Sequence, residues 1–350
     1  MKILITGANG HIGSHVVRAV IDAGWTPIAF VRPGSDRRAL VGVEHETREG
    51  DLCDEASVVR ALQGVDGVMH VGAVHRNLAR DPDEMLRPAV QGTRAVLQAA
   101  SQAGIGRVVV TSSGATVGFT KDVTRPLDET HHQERTKSSY IRAKVEQERL
   151  ALELAERLSL DVCVLNPSGV FGPRDYRLTP ATRALVGLLQ GDPAFLHICL
   201  TDVRDVARAH VLAFQKGAAG QRYVVTGDPV SPKQIADLFA EIAGVRPMVF
   251  RPPGFLLRFV IARAEKKALK DGSDPPTTRD AIDDVDGGQL LYDASRSRQE
   301  LGMTYRPGKQ VLTDSFRWLL HVGALKPKIA EKVRATLGAA AAPDPDWAPA

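Results

Sequence analysis

Three cysteines in 350 residues, Cys53, Cys163 and Cys199, are too few and too widely spaced for a disulfide framework, and no CxxC pairing marks a zinc site. They are expected to be reduced, buried and inert, and no metal is expected. Long hydrophobic runs are missing as well. The most apolar stretch, Phe255 to Ala262, is interrupted by Arg258 and falls far short of a bilayer span. No stable membrane insertion is expected; the stretch reads as an amphipathic helix packed on its own domain, while its basic continuation to Lys270 also suits a membrane-surface helix. An excess of one charge is lacking too: 45 Lys and Arg face 41 Asp and Glu, for a formal net charge of +4, and no basic stripe interleaves with the aromatic residues. Nucleic acid is therefore not an expected partner. A strand starting at residue 2 leaves no room for a leader peptide, so the expected location is the cytoplasm.

Glycine, by contrast, is concentrated where it matters most. Lys2-Ile3-Leu4-Ile5 reads as a strand, runs into Thr6-Gly7-Ala8-Asn9-Gly10-His11-Ile12-Gly13, and is followed by a helical pattern from Ser14 to Ile21. Strand, glycine loop and helix start, in that order, let backbone N–H groups and the positive helix end receive a dinucleotide pyrophosphate. Gly7 suits the tight turn, Gly10 the close approach of phosphate, and Gly13 the packing of helix on strand.

Apolar strands then alternate with helices: Thr26 to Val31, Gly67 to Val71, Arg107 to Thr111 and Asp161 to Leu165, with helices predicted over Pro88 to Ala103 and Tyr140 to Leu158. This alternation predicts an α/β fold, a Rossmann doubly wound parallel sheet covered on both faces. Past Pro167 the proline and glycine density rises and the alternation fails. The expected organisation is a dinucleotide-binding core over 1–166 with returning segments near 200–226, where Tyr223 to Val225 reads as a strand. A smaller C-terminal substrate-binding lobe is expected over 167–199 and 227–322, and a disordered tail over 338–350.

The residue ending the second strand lies beside the adenosine ribose, where an acid would favour NAD and repel the 2′-phosphate of NADP. This chain has Arg32 there, followed by Arg37 and Arg38. A guanidinium grips phosphate, so NADP(H) is the expected cofactor, with NAD(H) as the second option. Asp51 and Leu52 are placed to meet the adenine, and Val71, Gly72 and Ala73 to line the cofactor after the fourth strand.

Tyr140 and Lys144 are four apart and share one helix face. A lysine ammonium beside a tyrosine stabilises phenolate and lowers the phenol pKa from its usual value near 10, which makes a general acid or base. The hydroxyl-rich segment Thr111-Ser112-Ser113-Gly114 follows a hydrophobic strand and opens into the same crevice. His70 and His75 flank the end of the fourth strand, and His75 is the better candidate for a substrate contact. His131 and His132, in the polar stretch Asp128 to Glu134, and the acidic stretch Asp271 to Asp286 read as solvated loops.

With these motifs, together with Asn166 to Pro173 and Asp202 to His210, residues 1 to 320 resemble the extended short-chain dehydrogenase/reductase family, within it the dihydroflavonol 4-reductase-like group of the NAD-dependent epimerase/dehydratases. The resemblance implies Ser113, Tyr140 and Lys144 as catalytic residues, with Pro167 and Val170 flanking the nicotinamide and Ser168 beside the substrate. Two departures are visible. Ala89 in Ala89-Val90-Gln91-Gly92-Thr93 stands where many relatives have asparagine, and the Arg-Asp pair that epimerases carry before their Val-x-Asp segment is absent. The implied function is NADP(H)-dependent interconversion of a small, largely apolar ketone or aldehyde and its alcohol, by a monomer or homodimer. An NAD-dependent sugar epimerase of the same fold and a catalytically silent dinucleotide-binding regulatory protein are the alternatives.

Overall fold

The computed structural model describes residues 1–73, 78, 81, 83–275, 277–285, 287–344 and 347. In chain order the chain forms β1 (Lys2–Thr6), α1 (His11–Asp22), β2 (Thr26–Val31), β3 (Glu46–Glu49), α2 (Glu55–Ala61), β4 (Gly67–His70), α3 (Asp83–Gln102), β5 (Arg107–Thr111), α4 (Ser139–Arg157), β6 (Asp161–Pro167) and β7 (Val170–Phe171). It continues through α5 (Pro180–Gln190), β8 (Ile198–Cys199), β9 (Thr201–Asp202), α6 (Val203–Lys216), β10 (Arg222–Val225), β11 (Pro229–Val230), α7 (Pro232–Ala243), α8 (Gly254–Asp271), α9 (Arg279–Val285), α10 (Gly308–His321) and α11 (Pro327–Leu337).

Seven of the strands form one parallel sheet in the order β10-β6-β5-β4-β1-β2-β3. The order reverses between β1 and β4, and a ligand crevice opens at the carboxyl ends there. Alternation along each strand feeds two cores. Leu4, Ile28, Val68, Val108 and Val162 pack under α2, α3 and α4, while Ile3, Ile5, Ala29, Val109 and Leu165 pack under α1 and α6. Each fully buried aliphatic side chain stabilises by about 1.5–3 kcal/mol relative to exposure, so these unbroken Val and Ile runs fix the sheet. A further core joins α5, α7, α10 and α11 through Leu185, Phe239, Phe316 and Val333.

Several expectations change. Cys163 and Cys199 are buried but Cys53 is exposed. Helix α3 starts before Pro88 and holds that proline inside it, where it forgoes one i→i−4 hydrogen bond. The Asp128 to Glu134 stretch is not freely solvated: Glu129 is buried and accepts from the Val224 N–H at 2.7 Å. The Asp271 to Asp286 stretch is no solvated loop either, because it contains α9, whose Asp284 accepts from the backbone N–H groups of Lys137 and Ser138. In the tail, 338–341 form a 3-10 turn and Trp347 packs edge-on against Trp318 at 5.2 Å between ring centres. Finally, α8 is not packed away, since Phe255 is 78% and Phe259 58% exposed. No helix among the described residues is long and apolar enough to cross a membrane.

Two buried histidines tie helices to strand ends. His210 Nδ1 donates to the Val206 carbonyl at 2.8 Å, which leaves Nε2 to accept from Thr111 Oγ1 at 2.7 Å. His70 sits between Thr6 Oγ1 at 2.8 Å and Thr93 Oγ1 at 3.0 Å. Burial holds His210 down to about 4 and His70, with Lys144 nearby, down to about 3. Both are neutral in the fold, and the unfolded chain binds the extra protons once the pH drops below about 6.5, so stability rises with pH across that interval and is lost on acidification. The urea midpoint is expected to hold above about pH 7 and to decline below about 6.5, by up to roughly 1.4 kcal/mol per pH unit for each histidine. A His210→Gln variant should show a shallower decline, and an acid slope equal to the parent's would remove His210 from this account.

Candidate active site

The glycine loop is built as a cradle. Gly7 has φ +63°, and a Cβ there would lie 2.7 Å from Gly72 Cα; a Cβ on Gly13 would lie 2.1 Å from the Gly7 carbonyl oxygen. Neither position tolerates a side chain. Gly10 is the N-cap of α1, and no side chain caps that helix end. Its first N–H groups therefore remain for an external acceptor, as an anionic pyrophosphate requires. The loop's side chains serve its framework: Asn9 Nδ2 donates to the Asp36 carbonyl at 2.8 Å, Ile12 packs on the core, and His11 Nε2 is 3.1 Å from the Pro173 carbonyl. Thr6 Oγ1 accepts from the Gly72 N–H at 2.9 Å, which locks the loop after β4 to the cradle.

Around the cradle, Leu52 stands against Gly72 and Gly92, and the Asp51 carboxylate accepts from the Cys53 N–H at 2.8 Å. Val71 is half-buried and Ala73 exposed. Arg32 is exposed and its guanidinium has no partner among the described residues, whereas Arg37 is paired with Glu49 and Arg38 with Asp36. Of the three basic residues, Arg32 is the one left to meet a phosphate. Pro167 closes β6 beside Val225, and Val170 pairs with Thr201. Ser168 is buried and its hydroxyl is bonded to Tyr292, which makes it part of the wall's framework. His75 lies outside the described residues.

The structure brings Ser113, Tyr140 and Lys144 together. Ser113 follows β5 as the cap of a 3-10 turn, and the Tyr140 hydroxyl is hydrogen-bonded to it. Lys144 is buried, with Nζ donating to the Thr111 carbonyl and to Gln147 Oε1, both at 2.9 Å. Burial lowers Lys144 to about 8, opposed by the Glu148 carboxylate. Burial also raises the Tyr140 phenol above its ordinary value, opposed by the Ser113 bond. The lowering expected from the Tyr-Lys spacing is not seen, because burial of the phenol outweighs it.

Two networks escaped the sequence reading. Gln147 Nε2 donates to Thr93 Oγ1 at 3.1 Å, so a continuous buried chain runs from Thr6 through His70, Thr93 and Gln147 to Lys144. The second fixes the Ser113 turn. Glu148 is paired with Arg222 at 2.8 Å and accepts from Thr116 at 2.8 Å and Asn166 at 2.6 Å, while Asn166 also donates to the Ser113 carbonyl at 3.3 Å. The available signal was spacing: Gln147 and Glu148 lie three and four residues beyond Lys144.

The chain matches known proteins over most of its length. Residues 3–226 match the family model described as NAD dependent epimerase/dehydratase family. A Synechocystis sp. protein provisionally named dihydroflavonol 4-reductase is 32% identical, over 92% of this chain and 95% of its own length. Sterol demethylase protein B of Methylococcus capsulatus is 32% identical, over 93% of this chain and 100% of its own. The crystal structure of gox2253 superimposes with a TM-score of 0.80 at 30% identity, covering 93% of this chain and 99% of that one.

Gln147→Leu would remove one buried partner from Thr93 and one from the Lys144 ammonium, at a cost of about 1–3 kcal/mol. The expected result is a lower urea midpoint together with weaker dinucleotide binding. Unchanged values for both would show that the chain does not hold Lys144.

Proposed function

The chain belongs to the NAD-dependent epimerase/dehydratase family, among the extended short-chain dehydrogenases/reductases, and from that premise we propose that it is an NADP(H)-dependent oxidoreductase interconverting an uncharged, largely apolar ketone or aldehyde and its alcohol. The observation that carries the reading is the Tyr140 hydroxyl bonded to Ser113 at the carboxyl end of β5, with buried Lys144 one turn further along α4. Relatives named for reductases or for sterol demethylation match over nearly the whole chain at 32% identity. The epimerases among similar structures share only 22–24% identity, a likeness of fold alone.

Gly7 to Gly13 and the uncapped start of α1 would hold the pyrophosphate, Arg32 the 2′-phosphate, Leu52 and Gly72 the adenine side, and Pro167 and Val170 the nicotinamide side. Reduced nicotinamide, when bound, supplies the hydride that reduces the carbonyl carbon. Ser113 donates to the substrate carbonyl oxygen and polarises it, and Tyr140 then delivers the proton to the developing alkoxide. Two of the three Lys144 donors are used by Thr111 and Gln147, which leaves one for the cleft. The same reading divides the chain into a cofactor core over 1–166 with returns near 200–226 and a substrate lobe over 167–199 and 227–322, working in the cytoplasm as a monomer or homodimer.

The test is a panel of aromatic and alicyclic carbonyl compounds with NADPH, run beside UDP-sugars with NAD. Carbonyl-dependent loss of the reduced-nicotinamide absorbance is expected, and Tyr140→Phe should lower it about 10²–10⁴-fold while NADPH binding stays within a few-fold. UDP-sugar interconversion without net cofactor oxidation, and without carbonyl reduction, would establish an epimerase instead.

Cofactor choice has its own measurement. Arg32→Asp removes a phosphate partner and adds repulsion, so NADPH affinity should fall about tenfold or more, about 1.4 kcal/mol, with NADH relatively favoured. A parent enzyme that already prefers NADH would reverse the assignment.

A further inference from the structure

Exposed large apolar side chains are concentrated on this molecule: Met248, Phe250, Phe255, Leu256, Phe259 and Val260 are all 44% exposed or more. Single exposed apolar residues carry no information, but a contiguous patch marks an interaction surface. Helix α8 carries four of these six residues. Ile261, Glu265 and Ala268, at i, i+4 and i+7, are its buried residues. Phe255, Leu256, Phe259 and Val260 lie on the opposite arc, and further along that arc Arg263, Lys266, Lys267 and Lys270 are exposed. The acids offer no counterweight until the helix ends at Asp271, since Glu265 is buried against Arg279 at 2.7 Å. The outward face is thus apolar over its first turns and cationic over its last.

We propose that α8 is a docking element for an anionic phospholipid bilayer, with the Phe255 to Val260 turns in the headgroup–acyl boundary and the Arg263 to Lys270 turns on the lipid phosphates. An element of 18 residues, about 27 Å long, lying in the interface satisfies both halves of its face at once. A second copy of the chain does not. Paired antiparallel, apolar turns would face cations, and paired parallel, cations would face cations. The docking surface also communicates with the site: Arg258 and Lys137 share Asp283, and the neighbouring Asp284 holds the start of α4 just before Tyr140. Binding to a lipid surface stands independently of the reaction proposed above, because it needs neither the cofactor nor turnover.

The experiment is cosedimentation of the full chain with phosphatidylcholine vesicles, with and without phosphatidylserine, at low and high salt, together with light scattering for oligomeric state. The parent should cosediment with phosphatidylserine-containing vesicles, remain free of phosphatidylcholine alone, and be released by salt. The Phe255→Ser/Phe259→Ser and Lys266→Glu/Lys267→Glu/Lys270→Glu variants should each bind about tenfold or more weakly, with circular-dichroism melts matching the parent. Parent protein that ignores phosphatidylserine, or variants that bind like it, would overturn the proposal. So would a parent dimer that the double serine variant converts to monomer while neither binds vesicles, which assigns the face to self-association. Should a variant fail to fold, the parent's lipid and salt dependence alone decides.

Discussion

A single buried line of hydrogen bonds, from the Gly72 N–H through Thr6, His70, Thr93 and Gln147 to the Lys144 ammonium, is the constraint on which this site depends. It joins β1 and β4, the two strands at which the sheet order reverses, to α3 and to α4, the helix that carries Tyr140. Its members sit in a low-dielectric interior, where a satisfied chain is rigid and an unsatisfied one is costly. The glycine loop and the helix turn that carries Tyr140 are consequently tied into one structure. Neither can shift alone.

The same logic explains why His70 is neutral. Its two ring nitrogens are committed to two threonine hydroxyls, and a proton added there would place a second buried cation near Lys144. With His70 neutral, Lys144 is the only cation in that line of bonds, and its own burial cost is offset by the Thr111 carbonyl, Gln147 and the Glu148 carboxylate. Glu148 is in turn anchored by Arg222 on β10, so the strand that sets Val225 beside Pro167 also supports the Ser113 turn.

What was legible in the sequence was local. The glycine loop, the βα alternation and the Tyr140-Lys144 spacing each express a rule with a reach of one strand or one turn, and the structure contains all three. What was not legible depends on partners far apart in sequence. Asp284 reads as one acid among many until it meets Lys137 and Ser138, and Glu129 reads as a loop residue until it meets Val224. Cys53 carries no local sign of exposure, and the contact of Trp347 with Trp318 joins residues 29 positions apart. The apolar segment of α8 was misread for a different reason: amphipathic periodicity identifies a face, but whether that face turns inward is settled by the tertiary neighbours.

Ala89 gives the departure from the family pattern a physical meaning. It is buried with Met85 and Ala143 in a small apolar cluster against which the Tyr140 ring packs. An amide at that position would introduce polar atoms needing partners into this wall, whereas the methyl keeps the wall dry and helps to hold the phenol protonated through burial. One turn further along α3, Thr93 bonds to both His70 and Gln147. Helix α3 thus presents an apolar turn to the tyrosine and a polar turn to the lysine's support. That separation allows a neutral phenol and a buried ammonium to coexist on adjacent turns of α4.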